Sequence, residues 1–229
     1  MKITIDRNAL KAVSRFAAKQ DIRFYLCGVL IESSPKETRI VGCDGHTLAV
    51  HRSQHTGENE GYWTGIVPLA TVTALLKMKA THKTLRDAPI ILSVQESGEI
   101  RADWIDQSIN FRAIDGKFPE YQRVIPSTVD GKAAWYQPEY LQRIADASKD
   151  MGESFTFGFN GNSASLAYIG QSMLAVIMPM RLDILIDCEG AEWARKPIPQ
   201  VTATVSPDVA AMIDPSGTLQ DAGLVTVLA

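Results

Sequence analysis

The chain has 229 residues, 45% of them hydrophobic, three cysteines and a formal net charge of −3 at pH 7, enough for one large or two ordinary globular domains with a sizeable core. No stretch reaches the roughly 20 apolar residues that span a bilayer, and MKITIDRNALK is charged where a signal peptide has its apolar centre, so a cytoplasmic chain without membrane contact is expected. Cys27, Cys43 and Cys188 are far apart, odd in number and form no C-x-x-C pair, which argues against a disulfide framework or zinc knuckle, and the acidic balance argues against a uniformly basic nucleic-acid binder.

MKITI alternates as a strand does, and Asp6 is placed to N-cap a helix over RNALKAVSRFAAKQ, with Leu10, Val13, Phe16 and Ala17 on its apolar face. Lys11, Arg15 and Lys19 recur every four residues on the other face. FYLCGVLIES, ETRIVGCD and LAVHR read as three strands joined by the turns ESSPKE and DGH. After a polar loop from Ser53 to Gly61 the pattern returns. YWTGIVP reads as a strand, LATVTALLKMKATHK as a helix bearing Lys77, Lys79, His82 and Lys83, and PIILSVQ, EIRADWID and SINFRAI as strands, with Gly98 in a hairpin turn. DGKFPEYQRVIP has two prolines and little periodicity, and reads as a connector leaving a domain near Pro126. A third copy starts at AAWYQ, continues as the helix PEYLQRIADASKD, opened by Pro138 and carrying Arg143 and Lys149, and ends in FTFGF, ASLAYI and MLAVIMP. Three strand-helix-three-strand units form an internal repeat in an α+β chain. Beyond Leu182, QVTATV and GLVTVLA read as strands around a short helix in SPDVAAMID, an incomplete fourth unit.

VGCDGHTLAVHR gathers Cys43, Asp44, His46 and His51, with His55 close behind, and so raises a metal site or a thiol nucleophile. On a strand, residues 51 and 55 stand about 13 Å apart at roughly 3.3 Å per residue, too far to share one ion. No H-x-x-x-H helix is plausible through LAVHRSQH, and no G-x-S-x-G, P-loop or paired-carboxylate motif appears. The expectation is a non-enzymatic chain with no catalytic residue, metal or cofactor. CDGH then serves as a tight strand-connecting turn in which Gly45 supplies the permissive backbone, Asp44 bonds to it and Cys43 packs as a small hydrophobe. A single basic helix face would be read as solvated surface. Its recurrence in three units points instead to a surface for a phosphate backbone, bound independently of sequence.

DIRFYLCGVLIE, VGCDGHTLAVHR, IDGKFPEYQRVIP and AVIMPMRL resemble, in this order, segments of the bacterial sliding clamp, the beta subunit of DNA polymerase III. Residues 1–127 look like the middle domain of that clamp. Residues 128–182 look like the second half of its last domain, and 183–229 form a divergent tail to a second clamp-like domain, 128–229. The resemblance implies the DNA clamp fold, with antiparallel sheets outside and helices lining a ring around double-stranded DNA. Lys11, Arg15, Lys19, Lys77, Lys79, Lys83, Arg143 and Lys149 are then the phosphate contacts, acting through water and sensitive to salt. It also implies a hydrophobic groove that takes short linear peptides of a DNA polymerase and clamp-loader-like proteins. By position the groove comprises Leu26, Cys43, Gly45, His46, Thr47, Leu48, Pro126, Val176, Ile177, Met178, Pro179, Met180 and Arg181, with the thioethers able to repack around varied anchors. Thr47 stands where the family commonly has arginine, and no segment resembles the family's first domain or the first half of its last. The implied function is a processivity factor in a shortened form such as a phage or other mobile element encodes. It would be a homo-oligomeric ring, a trimer first and a dimer or tetramer otherwise. The rival is a decoy or regulator that keeps the groove and forms no ring.

Overall fold

The computed structural model describes residues 1–55, 61–181 and 192–195. Met1–Leu182 form one compact unit and Asp183–Ala229 a second. In the first, β1 (Lys2–Ile5) leads into α1 (Arg7–Ser14), whose first turn is capped by Asp6: its carboxylate accepts the Ala9 N–H at 2.9 Å. The helix expected to run to Gln20 stops at Ser14. From there the N–H of Phe16 donates to the Val13 carbonyl and that of Ala17 to Ser14, a tightened i+3 pattern that drives Phe16 into the core, and the Ala18 N–H crosses to the Leu26 carbonyl. Lys19 therefore lies off the helix that carries Lys11. Next come β2 (Gly28–Ser33), β3 (Glu37–Cys43) and β4 (Thr47–Gln54). Phe24–Leu26, expected to extend the first of these, is a 3-10 turn.

Still within Met1–Leu182, the second repeat comprises β5 (Trp63–Pro68), α2 (Leu69–Lys77), β6 (Ile90–Val94), β7 (Glu99–Trp104) and β8 (Gln107–Arg112). α2 is also shorter than its sequence pattern, for a visible reason. Arg7 lies over the Trp104 ring, 4.2 Å from its centroid, and donates to the carbonyls of Leu76 (2.8 Å) and Met78 (3.4 Å), satisfying acceptors at the helix end. Lys79 and Lys83 thus fall outside the helix, Lys83 opening a 3-10 turn. The third repeat has α3 (Pro138–Met151), as long as expected and closed by Gly152 at φ +67°, then β9 (Phe155–Gly158), β10 (Ser165–Ile169) and β11 (Met173–Ile177). The strand expected at AAWYQ shrinks to one bridge between Trp135 and Met180. In the second compact unit Glu192–Arg195 form the short helix α4, while QVTATV, SPDVAAMID and GLVTVLA lie outside the described residues.

The first two repeats, both within Met1–Leu182, exchange their first strands. β1 pairs with β6 and β5 with β2, giving the orders β1-β6-β7-β8 and β5-β2-β3-β4-β11-β10-β9, antiparallel throughout. The longer sheet passes from the first repeat to the third through β4 and β11, which align Leu48 with Val176 and Ala49 with Ala175. Because side chains alternate across a strand, this sheet buries two faces. Ile40, Ala49, Ala175 and Ile177 share a core with α1, α2 and α3, whereas Val41, Leu48, Val50 and Val176 share another with Phe118 and Tyr121 of the connector. The expected connector is therefore a strap across the outer face, and it explains why β3, β4 and β11 read as nearly continuous apolar runs. The α+β class with repeated units and antiparallel sheets is the architecture observed.

Candidate functional site

β11 ends beside the turn that starts β4, where the Met178 N–H donates to the His46 carbonyl at 3.0 Å. The strap crosses just outside, held by the Tyr121 hydroxyl, which donates to Glu32 Oε2 at 2.6 Å. Burial, and then this bond to a carboxylate, push the Tyr121 pKa up to about 12. Strap, turn and strand ends leave an open, largely apolar cavity of about 200 Å³. Leu26, Cys43, Gly45, His46, Thr47, Leu48, Val176 and Met178 line it, and the fold brings all eight together from three separate stretches of the chain.

Pro126, Ile177, Pro179, Met180 and Arg181 do not line the cavity. Ile177 falls between Val176 and Met178 on an alternating strand, so it points to the helical core and is fully buried. Met180 turns away to pair with Trp135, and Pro126 lies past the 3-10 turn Tyr121–Val124 that ends the strap. In Pro126's stead the strap contributes Phe118, Pro119, Glu120, Tyr121 and Val124, and Arg23 completes the mouth. The signal for these residues was present in KFPEYQRV, where two aromatic side chains sit in a segment with no periodicity of its own.

The turn is set by one carboxylate. Asp44 Oδ1 accepts the N–H of His46 (2.9 Å), the N–H of Thr47 (2.7 Å) and the Thr47 hydroxyl (3.0 Å), while Gly45 takes φ +92°. Burial acts to raise the Asp44 pKa, but the hydrogen bonds from Arg143, His46 and Thr47 outweigh it and hold the carboxyl below its ordinary value. Burial pushes the Cys43 thiol up, away from the reactive thiolate. The histidines do not converge. His46 is exposed at the cavity, His51 is buried in β4, and His55 lies 2.9 Å from the Thr38 hydroxyl. Among the described residues no group of three or more His, Cys, Asp or Glu is arranged to hold a metal ion.

The basic residues divide into two sets. Lys11 and Arg15 reach across to α3, where both bind Asp150 (2.7 and 2.5 Å) and Arg15 also meets Asp146 at 3.4 Å. Burial opposes ionisation of Asp150, yet the bonds from Arg15 and Lys11 keep its pKa below the ordinary value. Arg143 is bound to Asp44, Thr47 and Glu139 beside the cavity. Lys149 has a long, exposed contact to Asp146 at 3.6 Å. Lys19, Lys77, Lys79 and Lys83 are exposed, with no ion pair among the described residues. The shared basic face is thus partly the mortar between α1 and α3, a use that sequence spacing does not distinguish from a free surface. No helix among the described residues is long and apolar enough to cross a membrane.

A family model described as "DNA polymerase III beta subunit, central domain" matches residues 4–120, just over half of the chain. The "Beta sliding clamp" of Escherichia coli (strain K12) is 35% identical over 124 residues, 54% of this chain and 32% of the relative. The "Beta sliding clamp" of Salmonella typhimurium (strain LT2) is 37% identical over 113 residues, 49% of this chain and 29% of the relative. The chain therefore spans about a third of the length of these curated relatives. Among solved structures, the DNA polymerase III subunit beta of Pseudomonas aeruginosa superposes with a TM-score of 0.64 at 20% identity, over 80% of this chain and 66% of that one. The beta subunit of Thermotoga maritima gives 0.61 at 18%, over the same shares. These likenesses identify the architecture as the sliding-clamp fold, and the sequence match makes the chain a member of the DNA polymerase III beta subunit family through its central domain.

Proposed function

We propose that this chain is a non-catalytic DNA sliding clamp, a processivity factor that encircles duplex DNA and tethers a DNA polymerase or a clamp-loader-like protein by a short apolar peptide. The observation that carries the reading is the cavity between strap and sheet in a chain of this family: Leu48 and Val176 form apolar walls and Met178 offers an adaptable thioether. The matched relatives are named for the clamp, and their name supports the same role here. On the DNA side, Lys19, Lys77, Lys79 and Lys83 carry the phosphate contacts. Lys149 joins them, since its exposed contact to Asp146 holds little. Residues 1–127 act as the middle-type domain and 128–182 as the part that continues its sheet, with copies of the chain completing the ring.

The test is fluorescence polarisation of the full chain with a fluorescein-labelled hexapeptide, Gly-Ser-Leu-Phe-Gly-Ser. Met178→Glu puts a carboxylate on the apolar rim and is expected to weaken binding about tenfold or more. Equal binding by both proteins would remove the cavity from the reading. Native mass spectrometry should find a closed homo-oligomer, and a persistent monomer would argue against encirclement.

A further inference from the structure

We infer that Arg143, which lies on the basic face expected to contact phosphate, instead positions the Asp44–Thr47 turn, and so governs how well the cavity accepts its peptide. The inference rests on the peptide-binding reading of that cavity. Only 21% of the Arg143 side chain is exposed. Nη1 donates to Asp44 Oδ2 at 2.5 Å and to the Thr47 hydroxyl at 3.0 Å, and Nη2 donates to Glu139 at 3.1 Å. The same guanidinium lies 5.4 Å from the centroid of the Tyr140 ring, and Tyr140 stacks on His46 with centroids 6.3 Å apart and planes at 15°.

Two separate elements thus meet through one cation. Asp44 fixes the turn by accepting two backbone N–H groups and a hydroxyl on its other oxygen. Arg143, 99 residues away on α3, balances the carboxylate's charge. A guanidinium already bound to two carboxylates has little left for a phosphate, and moving it to one would leave Asp44 half-buried and uncompensated. His46 and Thr47 both line the cavity, so removing Arg143 loosens the wall itself. The planar fork matters as much as the charge, because a lysine ammonium cannot serve three acceptors in these directions with the same order. Arg143 is therefore a positioning residue. It reaches this corner from α3, at the place where the turn itself carries Thr47.

The experiment measures Gly-Ser-Leu-Phe-Gly-Ser affinity for the full chain and for Arg143→Met, Arg143→Lys, Asp44→Asn, the Arg143→Met/Asp44→Asn double variant and Met178→Glu, with the salt dependence of duplex DNA binding alongside. Circular dichroism checks that each variant is folded. Arg143→Met should weaken the peptide about tenfold, Arg143→Lys should lose less, and the double variant should be no worse than Arg143→Met alone. The DNA salt slope should stay unchanged. If Arg143→Met, or Arg143→Lys should the former not fold, binds peptide normally while Met178→Glu does not, the positioning role is wrong. A salt slope reduced by about one with peptide affinity intact would restore the phosphate contact and also overturn it. If Met178→Glu itself binds normally, the peptide reading falls first and the inference falls with it.

Discussion

His51 shows how an ordinary strand position becomes a pH-sensitive one. It lies in β4 opposite Ile40 on one side and Met173 on the other, is 3% exposed, and its buried Nδ1 has no hydrogen-bond partner among the described residues. Burial lowers its pKa, opposed in smaller part by the Asp6 carboxylate. As pH falls below the unfolded value of about 6.5, the unfolded chain takes up a proton that the folded chain refuses, so stability is whole above that pH and declines below it. Asp44 and Asp150 work in a lower window: their folded values are depressed, so their contribution is lost only as pH falls through the carboxylate range. Thermal unfolding should therefore shift to lower temperature between pH 7.5 and 5.5, and His51→Leu should flatten that shift. A slope that survives the substitution would assign the loss to other groups. At this scale the sequence was informative about the turn and not about the ion pairs. The bonding of Asp44 to its own turn follows from local residue types, whereas the meeting of Arg143 with Asp44 depends on where α3 comes to rest.

The elements themselves repeat that division. Periodicity locates α1, α2, α3 and the strands, but α1 and α2 end earlier than their apolar pattern because tertiary contacts at their C-termini take over. The α1 end presses on β3 at Gly42, where an added Cβ would stand 2.5 Å from the Val13 carbonyl oxygen and 3.1 Å from Val13 Cγ1. Both partners sit in the core and one is backbone, so the contact cannot be relieved by rotating a flexible side-chain end. Gly42→Ala should destabilise the chain by about 1–3 kcal/mol, seen as a lower urea midpoint with the slope unchanged. An unaltered midpoint would mean that the helix end yields easily. The same reasoning explains why the strap was legible only as a connector. Its 3-10 turn and aromatic anchors have no period to read, and their partners, Val41, Leu48 and Val176, belong to strands far away in sequence.

Over the whole of Met1–Leu182, the strand pairing of β4 with β11 decides how the molecule holds together. The sequence division near residue 127 falls just after the strap, yet five aligned residue pairs carry the sheet from the first repeat to the third. Lys11 and Arg15 bind Asp150 on α3, and Arg143 binds Asp44 across the same junction. Opening this junction would uncover Leu48 and Val176, strip the paired edges of two strands and leave charged groups without partners, so the separated state is penalised by several independent terms at once. Native-state hydrogen exchange should accordingly give the amides of Thr47–Gln54 and Met173–Ile177 a common opening free energy, equal to that of global unfolding of this unit. If β10 and β11 exchange through a separate, lower-energy opening while β2 to β4 stay protected, the two sides are distinct folding units that merely adhere. In that case the cavity at their junction would be a transient surface, present only while they are docked. With a common opening energy, the cavity is as persistent as the fold, and a peptide binding there draws on a wall already built.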